Sequence, residues 1–219
     1  MHLAYTEEQL ALRDAVAGFL DKASNAEAVR EAEPLGWDPK VWDGLTSIGV
    51  PTLGVPEDLG GSGASLRDLG VVAEACGARL ASAPVVETMV AARLLTRFAG
   101  DDDAAASVLA TLAGGGAPLA LAVRPATGGR ASLVPGAAVA AAVVALDGDE
   151  LVLVQPAGPL DSPTNLGSAP LADVDLGAGS RTVLATGDAA RKAHATAVDE
   201  WRALTARWSV GLAREAQAI

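Results

Sequence analysis

Through the N-terminal half of the chain, apolar side chains recur at the three- and four-residue spacing that one face of a helix requires. Four such runs can be read from the sequence, each followed by polar, glycine or proline residues. A periodic apolar face of this kind predicts an amphipathic helix that packs against a core. The runs comprise residues 12–20, 41–48, 69–76 and 86–98.

The residues in front of two of these runs are typical helix caps. Thr6 is followed three residues later by Gln9, which is the spacing of a capping box. Tyr5 is placed to pack against Leu10 as a hydrophobic staple. Residues 38–39, Asp-Pro, combine an acidic cap with a proline at the first helical position. We therefore expect helices to begin directly after these caps.

One segment, LTSIGVPTLGVPEDLGGSGASLRDLG, carries the most specific pattern in the chain. Its Gly49 follows an apolar helical run, where a left-handed cap favours a residue without Cβ. Residues 50–56 are too apolar for a surface loop and too rich in proline for a paired strand, so we interpret them as a buried extended connection. Residues 57–63 predict a tight reversal, and Ser65 with Asp68 caps the next helix.

The period of the pattern changes after three consecutive glycines at residues 114–116. Residues 118–123 and 181–185 are short apolar runs that are typical of strands. A stretch rich in proline, glycine, serine and aspartate, residues 156–179, precedes the second run and indicates a loop. The pattern therefore predicts a β domain after the glycines.

The strongest hairpin signal lies in the middle of that domain. Residues 139–146 and 150–155 are two apolar, β-rich runs. We assign the turn between them to Asp147-Gly148, a pair typical of type I′ turns. Both runs are almost continuously apolar, which indicates strands that are covered by protein on both faces.

Helical spacing returns after Asp188, which we interpret as the cap of a final helix. The apolar stripe of this helix includes two tryptophans, and we expect it to need a partner surface. Either further helices of the same polypeptide or another subunit would supply that surface. The stripe comprises Val198, Trp201, Leu204, Trp208 and Leu212.

Together these elements predict an α+β fold. It consists of an N-terminal all-α helical bundle, a small β-sheet or barrel domain, and the start of a C-terminal helical bundle. We place these three parts at residues 1–113, 117–187 and 188–219. A chain of 219 residues is long enough to bury a sizeable core.

Composition narrows the choice of partners and sites. The formal net charge of −11 disfavours a nucleic-acid or anionic membrane surface, because such a field repels phosphates. The single cysteine, Cys76, lies on an apolar helix stripe and is interpreted as a packed core thiol. Residues 101–103 are aspartates without the spacing of a calcium loop, so we interpret them as solvated helix-start charge and expect no metal site. Neither a signal peptide nor a membrane span is evident, so we expect a cytoplasmic protein.

A helix ending in LTSIGV, the turn PEDLGGSG and a helix beginning ASLRDLGVVAEACG follow one another in an order that resembles the acyl-CoA dehydrogenase family. In that family the corresponding segment links helices of the N-terminal domain beside the acyl-CoA pocket. The last residues, WRALTARWSVGLAREAQAI, are similar to the first helix of the family's C-terminal bundle. The resemblance implies an FAD-dependent oxidoreductase that desaturates an acyl-CoA thioester between its α and β carbons, in fatty acid or sterol catabolism.

The resemblance assigns no catalytic residue to this chain. In the family, a glutamate removes the α-proton of the thioester while the β-hydrogen leaves as hydride to the flavin. That glutamate belongs to the C-terminal bundle, beyond the last residue of this sequence. We therefore expect the chain alone to be inactive.

The family's flavin motif, Thr-Glu-Pro-x-x-Gly-Ser-Asp, has a counterpart in residues 123–130, VRPATGGR. The proline and the glycine keep their positions, but the two hydroxyl residues and the two acids are replaced. The resemblance implies that FAD would be held by backbone groups of Ala122, Val123, Gly128 and Gly129. A plain strand and turn explains the same residues without a cofactor.

Two hypotheses follow from the resemblance. In the first, the chain is an FAD-dependent acyl-CoA dehydrogenase without its base-bearing C-terminal bundle. In the second, it is a non-catalytic structural subunit of a heteromeric acyl-CoA dehydrogenase, does not itself bind FAD and completes a partner's site. Both imply a homo- or hetero-oligomer of acyl-CoA dehydrogenase subunits that takes an acyl-CoA substrate. A third hypothesis, outside the family, is an interaction module without a ligand.

Overall fold

The computed structural model describes residues 5–218, so residues 1–4 and 219 of the ranges predicted above lie outside the described part of the chain. The fold is α+β, as the sequence predicted. Its helices and strands are α1 (Glu7–Ala23), α2 (Ala26–Glu31), α3 (Pro39–Ser47), α4 (Leu66–Ala78), α5 (Val85–Leu95), α6 (Asp103–Ala113), β1 (Leu119–Leu121), β2 (Arg130–Val134), β3 (Ala142–Asp147), β4 (Glu150–Pro156), β5 (Ala172–Asp175), β6 (Gly179–Thr186) and α7 (Gly187–Ala218).

Helices α1, α3 and α4 begin where their caps predict, whereas α7 begins at Gly187, so Asp188, the predicted cap, lies in its first turn instead. The Thr6 hydroxyl accepts a hydrogen bond from the Gln9 backbone, and the Gln9 side chain accepts one from the Thr6 backbone, which completes the capping box of α1. Ser65 and Asp68 form a second capping box at the start of α4. Asp38 caps α3 in front of its proline. Asp38 thus fixes the start of α3, and Ser65 with Asp68 fixes the end of the connection between α3 and α4.

Tyr5 makes contacts that the sequence did not indicate. Its hydroxyl donates a hydrogen bond to the Glu74 carboxylate on α4 (3.0 Å) and accepts one from Arg207 on α7. The guanidinium carbon of Arg207 also lies 5.7 Å from the centroid of the Tyr5 ring. Tyr5 therefore joins the start of α1 to two other helices, a role beyond that of a local staple.

Residues 50–55, the first part of the connection between α3 and α4, are mostly buried but not extended, which corrects the sequence prediction. Gly49 has a φ of +82°, as the predicted helix cap requires. Residues 50–56 then fold into consecutive tight turns, in which the Val55 N–H donates to the Thr52 carbonyl (2.9 Å). The turns satisfy backbone groups locally, in a segment that has no neighbouring strand to pair with.

The β domain contains two sheets. The larger has the strand order β1-β3-β4-β6, with β1 parallel to β3 and the other pairs antiparallel. Strands β2 and β5 form a separate antiparallel pair. Strand β5 lies within the stretch that was predicted to be a loop, which corrects that prediction. With four residues, of which only Ala172 and Val174 are buried, it is too short to give a period-two signal.

Strands β3 and β4 form the predicted hairpin, but its turn is shifted by one residue. Asp147 pairs with Glu150, so the turn residues are Gly148 and Asp149. Of these two, Gly148 alone has a positive φ, +62°. A positive φ at the first turn position is the mark of a type II′ turn, so the predicted type I′ turn is wrong.

The larger sheet is buried on both faces, as its continuous apolar runs predicted. Alternate residues of a strand point to opposite faces. Val144 and Leu153 belong to the core that the sheet shares with the helices, whereas Val143 and Val154 belong to a second core between the two sheets. The sheet is therefore the layer that joins the helical part to the β2–β5 pair.

Part of the apolar stripe of α7 is covered by α4 and α5 of the same chain, a partner surface that the sequence prediction did not name. Trp201, Trp208 and Leu212 remain half-buried. Leu204 is 1% exposed, and Trp201 and Trp208 pack against the core of the N-terminal helices. Helices α4 and α7 cross at glycines. A Cβ added to Gly77 would lie 1.9 Å from the Trp208 carbonyl oxygen, and one added to Gly211 would lie equally close to a carbonyl of α4.

Two smaller sequence predictions are confirmed. Cys76 is fully buried, and this burial raises the pKa of its thiol to about 12. Asp102 caps α6 by accepting a hydrogen bond from the Ala105 N–H (2.9 Å). Within residues 5–218, no helix combines the length and the apolar composition needed to cross a bilayer.

Candidate functional site

A cavity of about 440 Å³ lies where the helical N-terminal part, the β domain and α7 meet. All three parts contribute to its walls. Pockets of this size at the junction of structural units are the usual location of small-molecule sites. The lining includes residues 80–87, 135–136 and 166–170, together with Thr205 and Trp208.

Backbone strain is concentrated around this cavity. Four of its lining residues have positive φ values, namely Gly36 (+64°), Leu80 (+48°), Gly136 (+79°) and Ser168 (+44°). Leu80 and Ser168 carry a Cβ, so this conformation is costly for them. A Cβ added to Gly36 would lie 1.8 Å from the Ser168 carbonyl oxygen. Strain of this kind clusters at binding sites, where the surrounding structure holds it in place.

A second cavity, of about 220 Å³, lies between α1, α4 and the end of α7. Its charged side chains are paired with one another. Arg79 contacts Asp21 and Glu215, each at 2.6 Å, and Glu74 contacts Arg207 at 3.2 Å. These pairs leave little charge to attract an ionic ligand, so the larger cavity is the candidate functional site.

Glu87 lies in the first turn of α5 and lines the larger cavity. Its carboxyl accepts a hydrogen bond from the Trp201 indole N–H on α7 (3.2 Å). Burial raises the pKa of Glu87 because it disfavours the charged carboxylate, and this outweighs the hydrogen bonds from its own backbone N–H and from Trp201. A Cβ added to Gly136 would lie 3.5 Å from the Glu87 side chain, so the stem of Glu87 packs beneath the β domain.

Sequence reasoning missed Glu87 as a site residue. The helix that carries it reads VVETMVAARLL, in which one acid stands among apolar residues. A lone acid on a helix whose other positions are nearly all buried is the signal that could have identified it.

The segment assigned to FAD begins with Ala122, directly after β1. Ala122 is 1% exposed. Its N–H donates to the Val144 carbonyl (2.9 Å), and its own carbonyl oxygen lies 2.7 Å from the Nε2 of His194. Val123, the next residue, is partly buried. The backbone groups of Ala122 are therefore engaged within the protein.

His194 fixes the position of this segment relative to α7. A carbonyl oxygen only accepts hydrogen bonds, so the Nε2 atom facing Ala122 carries the proton. Burial lowers the pKa of His194 below its usual value. The imidazole is therefore neutral near pH 7, and it donates to the strand end on which the assigned cofactor segment begins.

Gly128 and Gly129 form the tip of a tight turn between β1 and β2. The turn closes between Thr127 and Arg130, whose backbones pair. The φ values of the two glycines are +60° and +74°, as a type I′ turn requires. A Cβ added to either glycine would meet nothing within 4 Å. Both therefore face open space.

This segment does not offer the side-chain contacts of the family's flavin motif. Hydroxyl groups are missing at its two donor positions, and Arg130, which replaces an acid, forms an ion pair with Asp173 (3.1 Å). The Gly129 carbonyl already accepts a hydrogen bond from the Leu176 N–H (2.9 Å). What remains towards a flavin is the tip of the turn at Gly128 and Gly129 and the partly buried Val123. The residues present therefore do not fit a flavin held through side chains.

Comparison with known proteins decides the family. The model of the acyl-CoA dehydrogenase N-terminal domain matches residues 6–116. The chain belongs to the acyl-CoA dehydrogenase family. The resemblance read from the segment between α3 and α4 is thereby confirmed.

Two curated acyl-CoA dehydrogenases are similar to part of the chain. The acyl-CoA dehydrogenase IpdE2 of Mycolicibacterium smegmatis is 40% identical over 86 residues, which are 38% of this chain and 28% of that protein. The IpdE2 of Mycobacterium tuberculosis is 35% identical over 85 residues, which are 37% of this chain and 27% of that protein. The similarity thus spans little more than a quarter of each relative.

Solved acyl-CoA dehydrogenase structures share the fold over almost the whole chain. A variant of the Tcur3481-Tcur3483 steroid ACAD covers 96% of this chain with a TM-score of 0.79 and 21% identity. The ChsE4-ChsE5 complex of Mycobacterium tuberculosis covers 90% with a TM-score of 0.76 and 22% identity. Butyryl-CoA dehydrogenase of Megasphaera elsdenii covers 100% with a TM-score of 0.80 and 16% identity. This chain covers 64%, 64% and 69% of those chains, respectively.

Proposed function

We propose that the chain is an acyl-CoA-binding subunit of an acyl-CoA dehydrogenase, and that the cavity at the junction of its three parts receives the acyl group. The observation that carries this proposal is the cavity itself. It combines strained backbone at its rim with a mainly apolar lining from the start of α5, including Pro84, Val85 and Val86. An apolar wall with a few polar groups suits a hydrocarbon tail.

In this proposal a partner subunit supplies most of the contacts to FAD. The replacement of the motif's hydroxyl and acidic residues at positions 123, 124, 129 and 130 supports it, as does the engagement of the Ala122 backbone inside the protein. Two of the structures with the same fold are described as paired proteins, Tcur3481-Tcur3483 and ChsE4-ChsE5. The chain would then complete the site of a flavin-carrying subunit in a hetero-oligomer.

The second candidate is that the chain binds FAD itself and desaturates the acyl-CoA once a base is supplied. Gly128 and Gly129 favour this candidate, because their turn projects into open space and its backbone can approach a ligand closely. Val123 would add a backbone contact beside them. The flavin would supply the redox chemistry in either case.

A steroid-derived acyl group is the proposed substrate class within the family. Support comes from the description of one structural neighbour as a steroid ACAD. The cavity volume of about 440 Å³ is of the size that small-molecule sites commonly have.

The test is to purify the full chain alone and together with a co-expressed flavin-carrying acyl-CoA dehydrogenase subunit from the same organism. We expect the chain alone to be colourless and to bind acyl-CoA, and the complex to be yellow and to be bleached by acyl-CoA. A yellow chain that is reduced by acyl-CoA on its own would support the second candidate instead. A chain that binds no acyl-CoA in either form would refute both.

A matched pair of variants locates the binding site. Thr205→Trp places a large ring in the cavity and should abolish acyl-CoA binding measured by calorimetry. Ala203→Trp adds the same ring to an exposed position of α7 and should leave binding unchanged. Equal loss of binding in both variants would show that the acyl group does not enter this cavity.

A further inference from the structure

Glu87 is an unusual lining residue for a cavity that receives a hydrocarbon chain. It stands in the first turn of α5, among neighbours that are almost all apolar and buried. No ion pair between Glu87 and a basic side chain is found within residues 5–218, and its hydrogen-bond donors are the Trp201 indole and its own backbone N–H. A carboxyl group facing a cavity without a cation calls for a polar partner from the ligand.

The Trp201 hydrogen bond holds this carboxyl in place. Trp201 belongs to α7 and Glu87 to α5, so their contact (3.2 Å) crosses the helix interface behind the cavity. On the other side, the stem of Glu87 packs beneath Gly136 of the β domain. Because all three parts of the fold restrain Glu87, its carboxyl is preorganised to meet a ligand group at a defined position.

The chemistry of the partner follows from the carboxyl group. A carboxylate only accepts hydrogen bonds, whereas a protonated carboxyl also donates one. A hydroxyl group both donates and accepts, so it can pair with either form of Glu87. A ketone or an ether only accepts, so it pairs with the protonated form alone. An alkyl chain pairs with neither form and would cover the half-buried carboxyl without offering it a partner.

We propose that Glu87 is a specificity residue that recognises a hydroxyl group on the acyl tail, so that the preferred substrate class is a hydroxylated acyl-CoA rather than a plain fatty acyl-CoA. This inference rests on the proposed function, because it requires the acyl group to enter the cavity. It goes further in naming the group that the tail must carry and the residue that meets it.

A purely structural role for Glu87 makes a different prediction. Pro84, which precedes α5, offers no side-chain cap, and the Glu87 carboxyl accepts from a backbone N–H in the first turn. If Glu87 only caps the helix, its replacement lowers the stability of the protein and weakens binding of every acyl-CoA by the same factor. If Glu87 recognises a hydroxyl, its replacement changes the ratio of two affinities.

The experiment measures that ratio by calorimetry on the full chain. The probes are hexanoyl-, octanoyl- and decanoyl-CoA, each paired with its ω-hydroxy counterpart. The three chain lengths are chosen so that one of them can place its hydroxyl group next to the Glu87 carboxyl. For that length we expect the hydroxy thioester to bind roughly tenfold more tightly to the wild type, as one hydrogen bond to a charged or buried partner provides. Glu87→Leu should bring the ratio to about one, and Glu87→Gln should leave an intermediate ratio.

Glu31 supplies the control, because it is an exposed acid of α2 that does not line the cavity. Glu31→Gln removes the same charge, so it reports any general effect of charge on binding of the anionic CoA moiety, and it should keep the tenfold ratio. The inference is overturned if the wild type shows no preference at any chain length, or if Glu87→Leu keeps the preference. Binding of plain thioesters without a preference would refute this inference alone, whereas no binding of any thioester would refute the proposed function with it.

Discussion

At the scale of single residues, two ionisable groups lie at the contacts of α7, the buried His194 and the half-buried Glu87. His194 faces the end of β1 and Glu87 faces Trp201, so each lies at a junction between parts of the fold. Burial lowers the pKa of His194 and raises the pKa of Glu87, and in both cases it favours the neutral form. Each junction is therefore crossed by a hydrogen bond of one of these groups, which low-dielectric surroundings strengthen.

His194 should make the stability of the protein fall in mild acid. Its pKa is lowered in the folded state, so below the unfolded value near 6.5 the unfolded chain binds the proton more readily. The free energy of unfolding should therefore decrease as the pH falls from about 7.5 to about 5. His194→Gln keeps a donor for the Ala122 carbonyl without titrating, so its unfolding free energy should fall less over this range. Urea denaturation at several pH values measures the difference.

The prediction for His194 has a clear contrary outcome. Parallel pH profiles for the wild type and His194→Gln would mean that other groups cause the loss of stability. At the upper end of the range, where His194 is neutral in both states, the two proteins should differ by no more than about 1 kcal/mol, since one neutral hydrogen bond replaces another.

At the scale of secondary-structure elements, close packing of α7 on α4 depends on glycines. Gly77 approaches the backbone of Trp208 so closely that a Cβ would lie 1.9 Å from a carbonyl oxygen. Gly211 makes the reciprocal approach to α4. Side chains on neighbouring turns, including Leu204 and Trp208, then reach the N-terminal core. The two glycines thus let the backbones of α4 and α7 approach closely around residues 74–78 and 208–211.

Gly77→Ala should therefore destabilise the protein, although alanine is the better helix former. The methyl group must push α7 away from α4, and the resulting overpacking should cost roughly 1–3 kcal/mol of unfolding free energy. Gly18→Ala is the matched control on α1, because a Cβ there meets nothing within 4 Å. It should stabilise the protein by about 0.5–1 kcal/mol through helix propensity. Urea denaturation of the two variants under identical conditions would contradict this account if both shifted in the same direction.

Elements with strong local signals could be predicted from the sequence, and elements made by tertiary contacts could not. The caps at Thr6 and Ser65 act through their own neighbours, so they form as expected. The hairpin was found, but its turn moved by one residue because the pairing of Asp147 with Glu150 fixes the register. Strand β5 exists through its pairing with β2, and its own four residues carry too short a pattern to reveal it.

The stripe on α7 shows the same limit. Its helical spacing predicted an apolar face correctly, with Leu204 and Trp208 on it. Spacing does not say which surface covers that face, and the covering surface proved to be α4 and α5. The glycines that make this docking close, Gly77 and Gly211, lie about 130 residues apart in sequence, so their pairing leaves no local signal.

At the scale of the whole molecule, the candidate site exists only where the three parts meet. The family could be recognised from one local segment, because the turn after Gly49 and the cap at Ser65 are read within a few residues. The cavity could not be predicted from the sequence, because it brings together Glu87, Gly136 and Thr205 from three separate regions of the chain. The residues assigned to FAD remain a prediction.

The junction between the helical part and the β domain depends on one buried hydroxyl. Thr88 of α5 is 0% exposed. Its Oγ1 donates to the Leu119 carbonyl and accepts from the Leu119 N–H, each at 3.1 Å. Strand β1 lies at the edge of the sheet, so without Thr88 these two backbone groups of Leu119 would be buried without partners. Thr88 therefore joins the edge strand β1 to α5. It directly follows Glu87, which lines the cavity.

Thr88→Val should loosen this junction while preserving the shape of the side chain. Two buried backbone groups lose their partner, and each such loss costs about 1–3 kcal/mol, so the unfolding free energy should fall by roughly 2–6 kcal/mol. Thr111→Val is the matched control. The Thr111 hydroxyl donates to the Ser107 carbonyl on the exposed side of α6, so its loss should change the unfolding free energy by less than about 0.5 kcal/mol.

Two probes distinguish the parts of the fold. Tryptophan fluorescence follows the helical part, because three of the four tryptophans lie on helices and Trp37 lies just before α3, and amide hydrogen exchange follows β3 and β4. In the wild type both probes should report one unfolding transition. In Thr88→Val the hydrogen-exchange protection of β3 and β4 should decrease more than the fluorescence midpoint does. Equal shifts in both probes would show that Thr88 stabilises the fold without joining its parts.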